Sequence, residues 1–172
     1  AALRLADGAV ALVVSSVPGA GPRVALRGAG QAHLHQHLST LPSVLTTGAG
    51  EAARRALGQA GLRLQDIGHL ALYDSFTITL AMLLEEIGFT ARGKSGARAR
   101  QGDFLCDGAL PLNTHGGLLA FGHCGVAGGM AHAAEAVRQL GGRAGERQAR
   151  QATHALVHGD GGVMSSHVSI VL

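Results

Sequence analysis

The stretch NTHGGLLAFGHCGVAGG, residues 113–129, constrains the fold of this chain more than any other segment. It contains six glycines, two histidines and one cysteine, and none of Asp, Glu, Lys or Arg. Glycine loses more chain entropy on folding than any other residue, so a connection this rich in glycine indicates that another group approaches its main chain closely. We therefore predict a loop that presents backbone, imidazole and thiol to a ligand.

Short apolar strands alternate with helices on both sides of this loop. Apolar and β-branched runs predict strands at 10–16, 23–30 (running into a glycine turn) and 67–74. Helical spacing predicts helices at 49–61, 75–88 and 126–142. Residues 152–172 are interpreted as two strands of a hairpin, 89–112 as an irregular basic stretch and 141–150 as an exposed polar connection. This alternation predicts an α/β layered domain with a mixed sheet and packed helices.

Composition limits the class of protein. Of 172 residues, 47% are hydrophobic and 15% charged, and no run approaches the roughly 20 apolar residues of a membrane span. The net charge of +3 suits an anionic ligand, but scattered arginines and only five aromatic residues argue against nucleic acid. Because the first residues do not look like a signal peptide, we expect a cytoplasmic protein in which Cys106 and Cys124 are reduced.

His123 and Cys124 immediately precede the helix predicted at 126–142. The free N–H groups and the dipole of a helix N-terminus favour negative charge, so we expect an oxyanion there. A neutral imidazole can donate a hydrogen bond to a carbonyl or accept a proton, and the glycines would let a flat substrate touch the backbone. The residue types alone leave a second interpretation open, a tight structural turn around a buried histidine.

Three segments resemble motifs of the thiolase family, and they follow one another along this chain in the same order as in that family. PLNTHGGLLAFGHCGVAGG resembles the thiolase motif P-x-N-x-x-G-G followed by G-H-P-x-G-x-x-G. ALYDSFTITLAMLLEEIGF resembles the HDCF junction of the sterol-carrier-protein thiolases, and HALVHGDGGVMSSHVSIVL resembles the glycine-rich terminal hairpin. The resemblance implies an α-β-α-β-α layered fold of two similar halves. Residues 21–172 would form the C-terminal domain, and residues 1–20, with DGAVALVVSS, the last strand of the N-terminal half.

The residues at the family's reactive positions are different here. HDCF has become YDSF, with Tyr73 for the histidine and Ser75 for the acid-base cysteine, and His158 stands where other thiolases carry the cysteine of C-x-G-G-G. Only His123 keeps its family position, and Cys124 replaces the proline after it. This pattern resembles the thiolase-like aldolases of steroid side-chain degradation, which lack the thiolase cysteines and work beside a small zinc-containing OB-fold partner.

From this resemblance we expect a thiolase-superfamily acyltransferase or aldolase whose site is incomplete in this chain alone. It would make or break a C–C bond beside a coenzyme A thioester, by thiolytic Claisen or retro-aldol chemistry, in lipid, steroid or aromatic acyl-CoA metabolism. Coenzyme A would be part of the substrate, with no permanently bound cofactor. An N-terminal thiolase half or second subunit, in a homo- or hetero-oligomer, would complete the site, and the zinc-containing OB-fold protein is a further candidate partner. The alternative is a non-catalytic subunit that binds acyl-CoA or acts as a scaffold.

His123 is the expected base or oxyanion donor, because an imidazole with a pKa near 6.5 titrates near neutrality whereas a phenol near 10 is a poor base. Tyr73 is its expected partner, although it could instead be a half-buried core tyrosine. Cys124 is the third candidate catalytic residue, because a helix N-terminus would lower the pKa of its thiol, with a small packing residue as the alternative. The residues expected to contact substrate are Asn113, Gly116, Gly117, Gly122, Gly125, His158, Gly161 and Gly162, and no metal site is predicted. His158 has a structural role as its alternative, because the glycines after it would serve the hairpin turn.

Other features have simpler interpretations. Asp74 and Ser75 are expected to cap the helix at 75–88. His33, His35 and His37 could bind a metal from one face of a strand, but the missing carboxylate or cysteine ligands favour a polar loop at the substrate entrance. Cys106 is expected to be a small buried packing residue. The basic side chains Arg92, Lys94, Arg98 and Arg100 are interpreted as a solvated face, with coenzyme A phosphates as the alternative partner.

Overall fold

Four strands form one mixed sheet at the centre of the fold. The computed structural model describes residues 4–17, 19, 23–150 and 152–172. Within them the strands lie in the order β1-β4-β3-β2, and β4 is antiparallel to both β1 and β3, whereas β2 is parallel to β3. Their bounds are β1 Gly28–Ala32, β2 His69–Leu72, β3 Ala155–Gly161 and β4 Ser166–Val171.

Helices cover both faces of this sheet. They are α1 Ala49–Ala60, α2 Thr77–Ile87, α3 Ser95–Arg100, α4 Gly117–Ala120 and α5 Ala127–Leu140. Leu70, Leu72 and Leu156 pack with α1 and α2, while Ala71 and Val157 pack with α5. Successive strand residues point to opposite faces, which gives the sheet an α1 face and an α5 face. None of the helices described is long and apolar enough to cross a membrane.

Strand β1 and helix α1 approach each other with almost no side chain between them. A Cβ added to Gly28 would collide with the carbonyl oxygen of Ala56, and one added to Gly30 with that of Ala52. Both alanines are fully buried. Glycine on the strand and alanine on the helix therefore set the spacing of these two elements.

The structure confirms the predicted α/β class and most of the predicted elements. Helices α1, α2 and α5 occupy the three predicted helical segments, and β2 lies inside 67–74. Gly61 and Gly88, at φ 67° and 103°, end α1 and α2 in the left-handed conformation that glycine adopts without steric cost. The hairpin predicted in 152–172 is formed by β3 and β4.

The predicted strand at 10–16 is wrong, because the structure pairs no residue of that segment with a strand. Val13 and Val14 are 97% and 81% exposed there. β-branched residues favour a strand only where a pleated, half-buried surface receives them, and the described residues offer none to this segment. Likewise, 23–27 is not strand, and the glycines expected to form a turn at 28–30 lie inside β1.

Three connections also differ from prediction. The stretch 89–112, expected to be irregular, contains α3. In the terminal hairpin, Gly159 and Gly161 belong to β3, and the turn follows them at 162–165. The connection 141–150 is mostly exposed as predicted, but Ala144 and Ala149 are buried.

Candidate active site

Tyr73 and His123 meet where β2 ends. The Tyr73 backbone N–H donates to the carbonyl of His158 at 2.9 Å, which places the tyrosine one residue beyond β2 on the end of the sheet. Its phenol oxygen lies 2.8 Å from Nε2 of His123, and the two rings meet edge to face at 83°. The structure therefore brings together the two side chains that the sequence predicts to share a centre, both of them half-buried.

The hydrogen bonds around His123 define which nitrogen carries its proton. The backbone N–H of Gly125 donates to Nδ1 at 3.3 Å. A backbone N–H can only donate, so Nδ1 is the acceptor and a neutral imidazole carries its hydrogen on Nε2. Nε2–H then donates to the phenol oxygen of Tyr73, which leaves the phenol hydrogen free to point at a substrate atom.

The phenol is a donor rather than a base. Burial raises the pKa of Tyr73 above its usual value, and the carboxylates of Asp160 and Asp74 raise it further. A phenol with a raised pKa keeps its hydrogen at neutral pH. Of the two roles expected for His123, the geometry thus favours oxyanion donation through Tyr73 over general base.

The backbone of His123 is held by a segment from the start of the chain. Its N–H donates to the carbonyl of Arg4 at 2.7 Å, and its carbonyl accepts from the N–H of Ala6 at 3.2 Å. The preceding Gly122 has φ 134°, and a Cβ there would come within 2.9 Å of the Ala6 side chain. Residues 4–6 therefore fix the loop on one side, and only glycine fits at 122.

Asp74 caps a different helix from the one expected. Its carboxylate, 3% exposed, accepts the N–H groups of Leu118 at 2.7 Å and Leu119 at 3.3 Å, in the first turn of α4. Helix α2 starts instead from Phe76, with no side-chain cap. A Cβ on Gly117, at φ 63°, would collide with the Asp74 carboxylate. The prediction that Asp74 and Ser75 cap α2 is therefore wrong.

Asn113 serves the backbone of β2. Its side-chain amide accepts from the N–H of Leu72 and donates to the carbonyl of the same residue, both at 2.8 Å. Asn113 is buried and adopts φ 47°. Its amide group is thus occupied by the strand end, whereas Gly116, at φ 105°, forms the turn into α4.

The structure places His158 away from the Tyr73–His123 centre. It is fully buried on the α1 face, where Nδ1 accepts from the hydroxyl of Ser169 at 2.7 Å and Nε2 donates to Nδ1 of His167 at 3.1 Å. His167 in turn donates to the carbonyl of Met164 at 2.9 Å. Burial lowers the pKa of His158 to about 3, so this chain of imidazoles is neutral. Of the two roles left open for His158, the geometry favours the structural one over substrate contact, since both ring nitrogens have protein partners.

The remaining predicted residues are spread around the loop and hairpin. Gly161 ends β3, and Gly162, at φ 59°, forms the hairpin turn against Ser165. Cys124 is a half-buried free thiol beside Gly8. Cys106, predicted to be a buried packing residue, is only half-buried.

A cavity of about 750 Å³ lies beside the glycine loop. Its walls are residues 6–12, Gly122 and Cys124 of the loop, His115, and side chains of α5 that include Arg138. A second cavity, of about 850 Å³, lies at the other ends of β2 and β3, against Asp66 and His154. Only the first of the two is lined by residues that flank His123 in the chain, Gly122 and Cys124.

The histidines proposed as possible metal ligands form no such site. His33, His35 and His37 follow β1 instead of sharing a strand face. In the part of the chain that the structure describes, no group of His, Cys, Asp or Glu side chains has the geometry to hold a metal ion. Arg98 is held by Asp103 at 2.6 Å and by the carbonyl of Phe89, which makes it a structural residue.

Sequence reasoning missed two polar residues near the centre. His132, 1% exposed on α5, has Nε2 at 3.4 Å from Oδ1 of Asp74 and its ring 6.3 Å from that of Tyr73. Asp160 has a buried oxygen with no hydrogen-bond partner, and burial raises its pKa to about 6. In the sequence, Asp160 could have been noticed only as the single charged residue of the glycine-rich stretch HGDGG, residues 158–162.

Comparisons with known proteins agree with this architecture. Residues 30–172 match the family model described as thiolase C-terminal domain-like. Sterol carrier protein 2 of Oryctolagus cuniculus is 41% identical over 108 residues, 63% of this chain and 20% of the relative. The steroid side-chain-cleaving aldolase of Thermomonospora curvata is 40% identical over 119 residues, 68% of this chain and 29% of the relative.

Among solved structures, the Ltp2-ChsH2(DUF35) aldolase is similar, with a TM-score of 0.76 and 32% identity. The match covers 87% of this chain and 40% of that chain. The present chain thus spans less than half the length of each of these three proteins.

Proposed function

This chain belongs to the thiolase family, whose C-terminal domain it matches, and from that premise we propose that it supplies part of an active site for C–C bond cleavage beside a coenzyme A thioester. The single observation that carries the proposal is the hydrogen bond of 2.8 Å between Tyr73 and His123 beside an open glycine loop. The reaction that this arrangement supports best is the retro-aldol cleavage of a β-hydroxyacyl-CoA.

Retro-aldol cleavage needs a group that holds the thioester oxygen as negative charge develops on it. A base takes the proton of the β-hydroxyl group, the bond between Cα and Cβ breaks, and its electron pair moves into the thioester as an enolate. A ketone or aldehyde leaves, and a proton added to Cα completes the shorter acyl-CoA. Tyr73 donates its hydrogen to the enolate oxygen, and Nε2–H of His123 strengthens that donor from behind.

Thiolytic Claisen cleavage is the second candidate. It requires a nucleophile that receives the acyl group and an acid-base thiol, and Ser75 stands where the family carries that thiol. The thiol nearest to His123 in sequence, Cys124, lines the cavity beside Gly8. Retro-aldol chemistry is favoured because the Tyr73 hydroxyl is backed by a second donor, Nε2–H of His123, and because position 75 is a serine. The similarity to aldolases supports the same choice. The alternative of a non-catalytic acyl-CoA-binding or scaffolding subunit is less favoured.

A further polypeptide would complete this site. We assign residues 21–172 to the C-terminal thiolase domain and residues 1–20 to the last strand of the other half, whose sheet would provide the neighbouring strand that residues 10–16 lack within the described part of this chain. Large apolar side chains around the centre are exposed, among them Phe76 at 56%, Ile78 at 66% and Phe121 at 63%. Such a patch fits a protein surface or an apolar acyl group. The two-part name of the similar aldolase supports a hetero-oligomer, and we propose a zinc-containing OB-fold protein as its second component.

The substrate would be a coenzyme A thioester of a steroid or other lipid acyl group, and the thioester would remain on the shorter product. No further cofactor would be bound. We place the reaction in the cytoplasm, because both cysteines are free thiols, as is usual in a reducing compartment.

The test uses the assembled enzyme with two substrates. A β-hydroxyacyl-CoA should release a ketone or aldehyde and a shorter acyl-CoA, whereas a β-ketoacyl-CoA with free CoA should give no thiolysis. His123→Ala should lower the retro-aldol rate about a hundredfold or more, because one oxyanion donor typically contributes that much. His154→Ala, at a half-buried histidine near the opposite ends of β2 and β3, is the matched control. Thiolysis with no retro-aldol product would reverse the choice of reaction, and no product from either substrate would favour the scaffold.

A further inference from the structure

We propose that Asp74 is a positioning residue, which fixes the loop that carries His123 against the strand end that carries Tyr73. Its importance for catalysis rests on the proposed function, whereas its effect on the Tyr73–His123 contact rests on geometry alone. Asp74 touches neither ring through a hydrogen bond, so its effect would pass through the backbone of α4.

The carboxylate joins the two segments directly. Asp74 follows Tyr73 in the chain, so its main chain lies two residues beyond the end of β2. Its two oxygens accept N–H groups of Leu118 and Leu119 on α4, and the loop reaches His123 four residues after Leu119. Hydrogen bonds from N–H groups to a carboxylate are stronger than neutral ones. A displacement of Asp74 would therefore move α4 and with it the imidazole.

The surroundings of Asp74 leave little freedom. The side chain is 3% exposed, Nε2 of His132 lies 3.4 Å from Oδ1, and the main chain of Gly117 lies against the carboxylate. A buried carboxylate that loses its partners is costly, so the protein holds this geometry rather than exchanging it for another. Glycine at 117 is required here, because any side chain would occupy the place of the carboxylate.

The composition of the chain provides a direct probe of the contact. Tyr73 is its only tyrosine, and it has no tryptophan. The ultraviolet absorbance of phenolate therefore reports the titration of Tyr73 alone, in the 172-residue chain and without any substrate.

A double-mutant cycle then separates positioning from simple charge. His123→Ala should move the Tyr73 titration midpoint to higher pH, because the phenolate loses a donor. Asp74→Asn by itself should move the midpoint to lower pH, because a nearby negative charge is removed. If Asp74 positions the pair, His123→Ala should produce little or no further upward shift in the Asp74→Asn background. Additive shifts would overturn the proposal.

Glu86→Gln is the matched control. The Glu86 carboxylate also accepts backbone N–H groups at the start of a helix, from Thr47 and Gly48 before α1. Its loss should lower thermal stability but leave the His123→Ala shift of the Tyr73 midpoint intact. A merely structural role of Asp74 would predict the same result for both carboxylates.

Gly117→Ala keeps the proposal testable if Asp74→Asn does not fold. This variant retains the Asp74 charge but pushes against the carboxylate from the loop. Gly61→Ala is its control, because Gly61 has a similar φ of 67° and no atom within 4 Å of an added Cβ. In the Gly117→Ala background, His123→Ala should no longer shift the Tyr73 titration midpoint. Gly117→Ala should also lower kcat at least about tenfold with little change in KM, while Gly61→Ala should have neither effect. If His123→Ala still shifts the Tyr73 midpoint in the Gly117→Ala background, the positioning role of Asp74 is contradicted. If the Asp74→Asn and His123→Ala shifts are non-additive but the assembled enzyme has no retro-aldol activity, only the proposed reaction is contradicted.

Discussion

Two independent features determine which atom of the Tyr73 phenol can serve a ligand. Partial burial and two nearby carboxylates oppose its ionisation, while His123 occupies its oxygen with Nε2–H. The hydroxyl hydrogen is then the part of the side chain left for a ligand. Tyrosine at this position thus suits a reaction that needs a donor to an oxyanion more than one that needs a base.

Replacement of Tyr73 by phenylalanine tests this donor role. The ring packing is kept, so the thermal midpoint of unfolding should change little, whereas kcat for β-hydroxyacyl-CoA cleavage should fall about a hundredfold or more. Steady-state kinetics of the assembled enzyme and a thermal melt of the same preparation are the two measurements. A variant that retains the full rate would exclude the phenol from the reaction.

The meeting of Tyr73 with His123 could be predicted from the sequence, because both lie in motifs that the family places at one centre. The partners of Asp74 and His158 could not. A strand end can aim a carboxylate at its own helix or at a distant loop, and the choice depends on where α4 lies in space. For His158 the resemblance suggested a site position, but strand alternation turns its side chain to the α1 face.

At the scale of elements, glycine has opposite roles in β1 and in α1. Gly30 faces the main chain of Ala52, whereas Gly58, inside α1, has no atom within 4 Å of an added Cβ. The first glycine permits a close approach of two backbones. The second only adds conformational freedom to the unfolded chain.

Two Gly→Ala variants should therefore shift stability in opposite directions. Gly58→Ala should raise the free energy of unfolding by about 0.5–1 kcal/mol, because alanine is the better helix former. Gly30→Ala should lower it by roughly 1–3 kcal/mol, because α1 must move away from β1. Urea unfolding of both variants measures the difference, and equal signs would contradict the packing described for β1.

Elements with a long helical pattern and a glycine stop were predictable, as α1 and α2 show. The short helices α3 and α4 were not. Their six and four residues carry little periodic signal, and α4 depends on the carboxylate of a distant residue. The predicted strand at 10–16 fails for a related reason, since a strand depends on its neighbours more than on its own residues.

For the whole molecule, buried neutral histidines connect stability to pH. Burial lowers the pKa of His69 and His115 to about 4 and that of His158 to about 3, from an ordinary value of 6.5. Below pH 6.5 the unfolded chain binds protons at these sites that the folded chain does not, so the folded state loses stability as pH falls. Asp160 acts in the opposite direction between about pH 6 and its unfolded value, because its pKa is raised.

We therefore expect the free energy of unfolding to decrease steadily between pH 6.5 and 4.5. A fully buried histidine contributes about 1.4 kcal/mol for each pH unit in this window. His158→Gln should make the dependence shallower, although it lowers stability at pH 7.5 by disturbing the Ser169 and His167 hydrogen bonds. Denaturant unfolding at several pH values measures the slope, and an unchanged slope would show that His158 does not remain neutral.

The pairing of residues 4–6 with His123 has a kinetic consequence. Among the residues described, only two backbone hydrogen bonds hold this contact, and residues 4–6 are exposed, so it has little stability of its own and forms after the buried sheet. The sheet and its helices can assemble before the imidazole of His123 reaches its position beside Tyr73. Chemical competence would then appear as a separate slow phase after most of the secondary structure has formed, and a protein with normal circular dichroism could still be inactive.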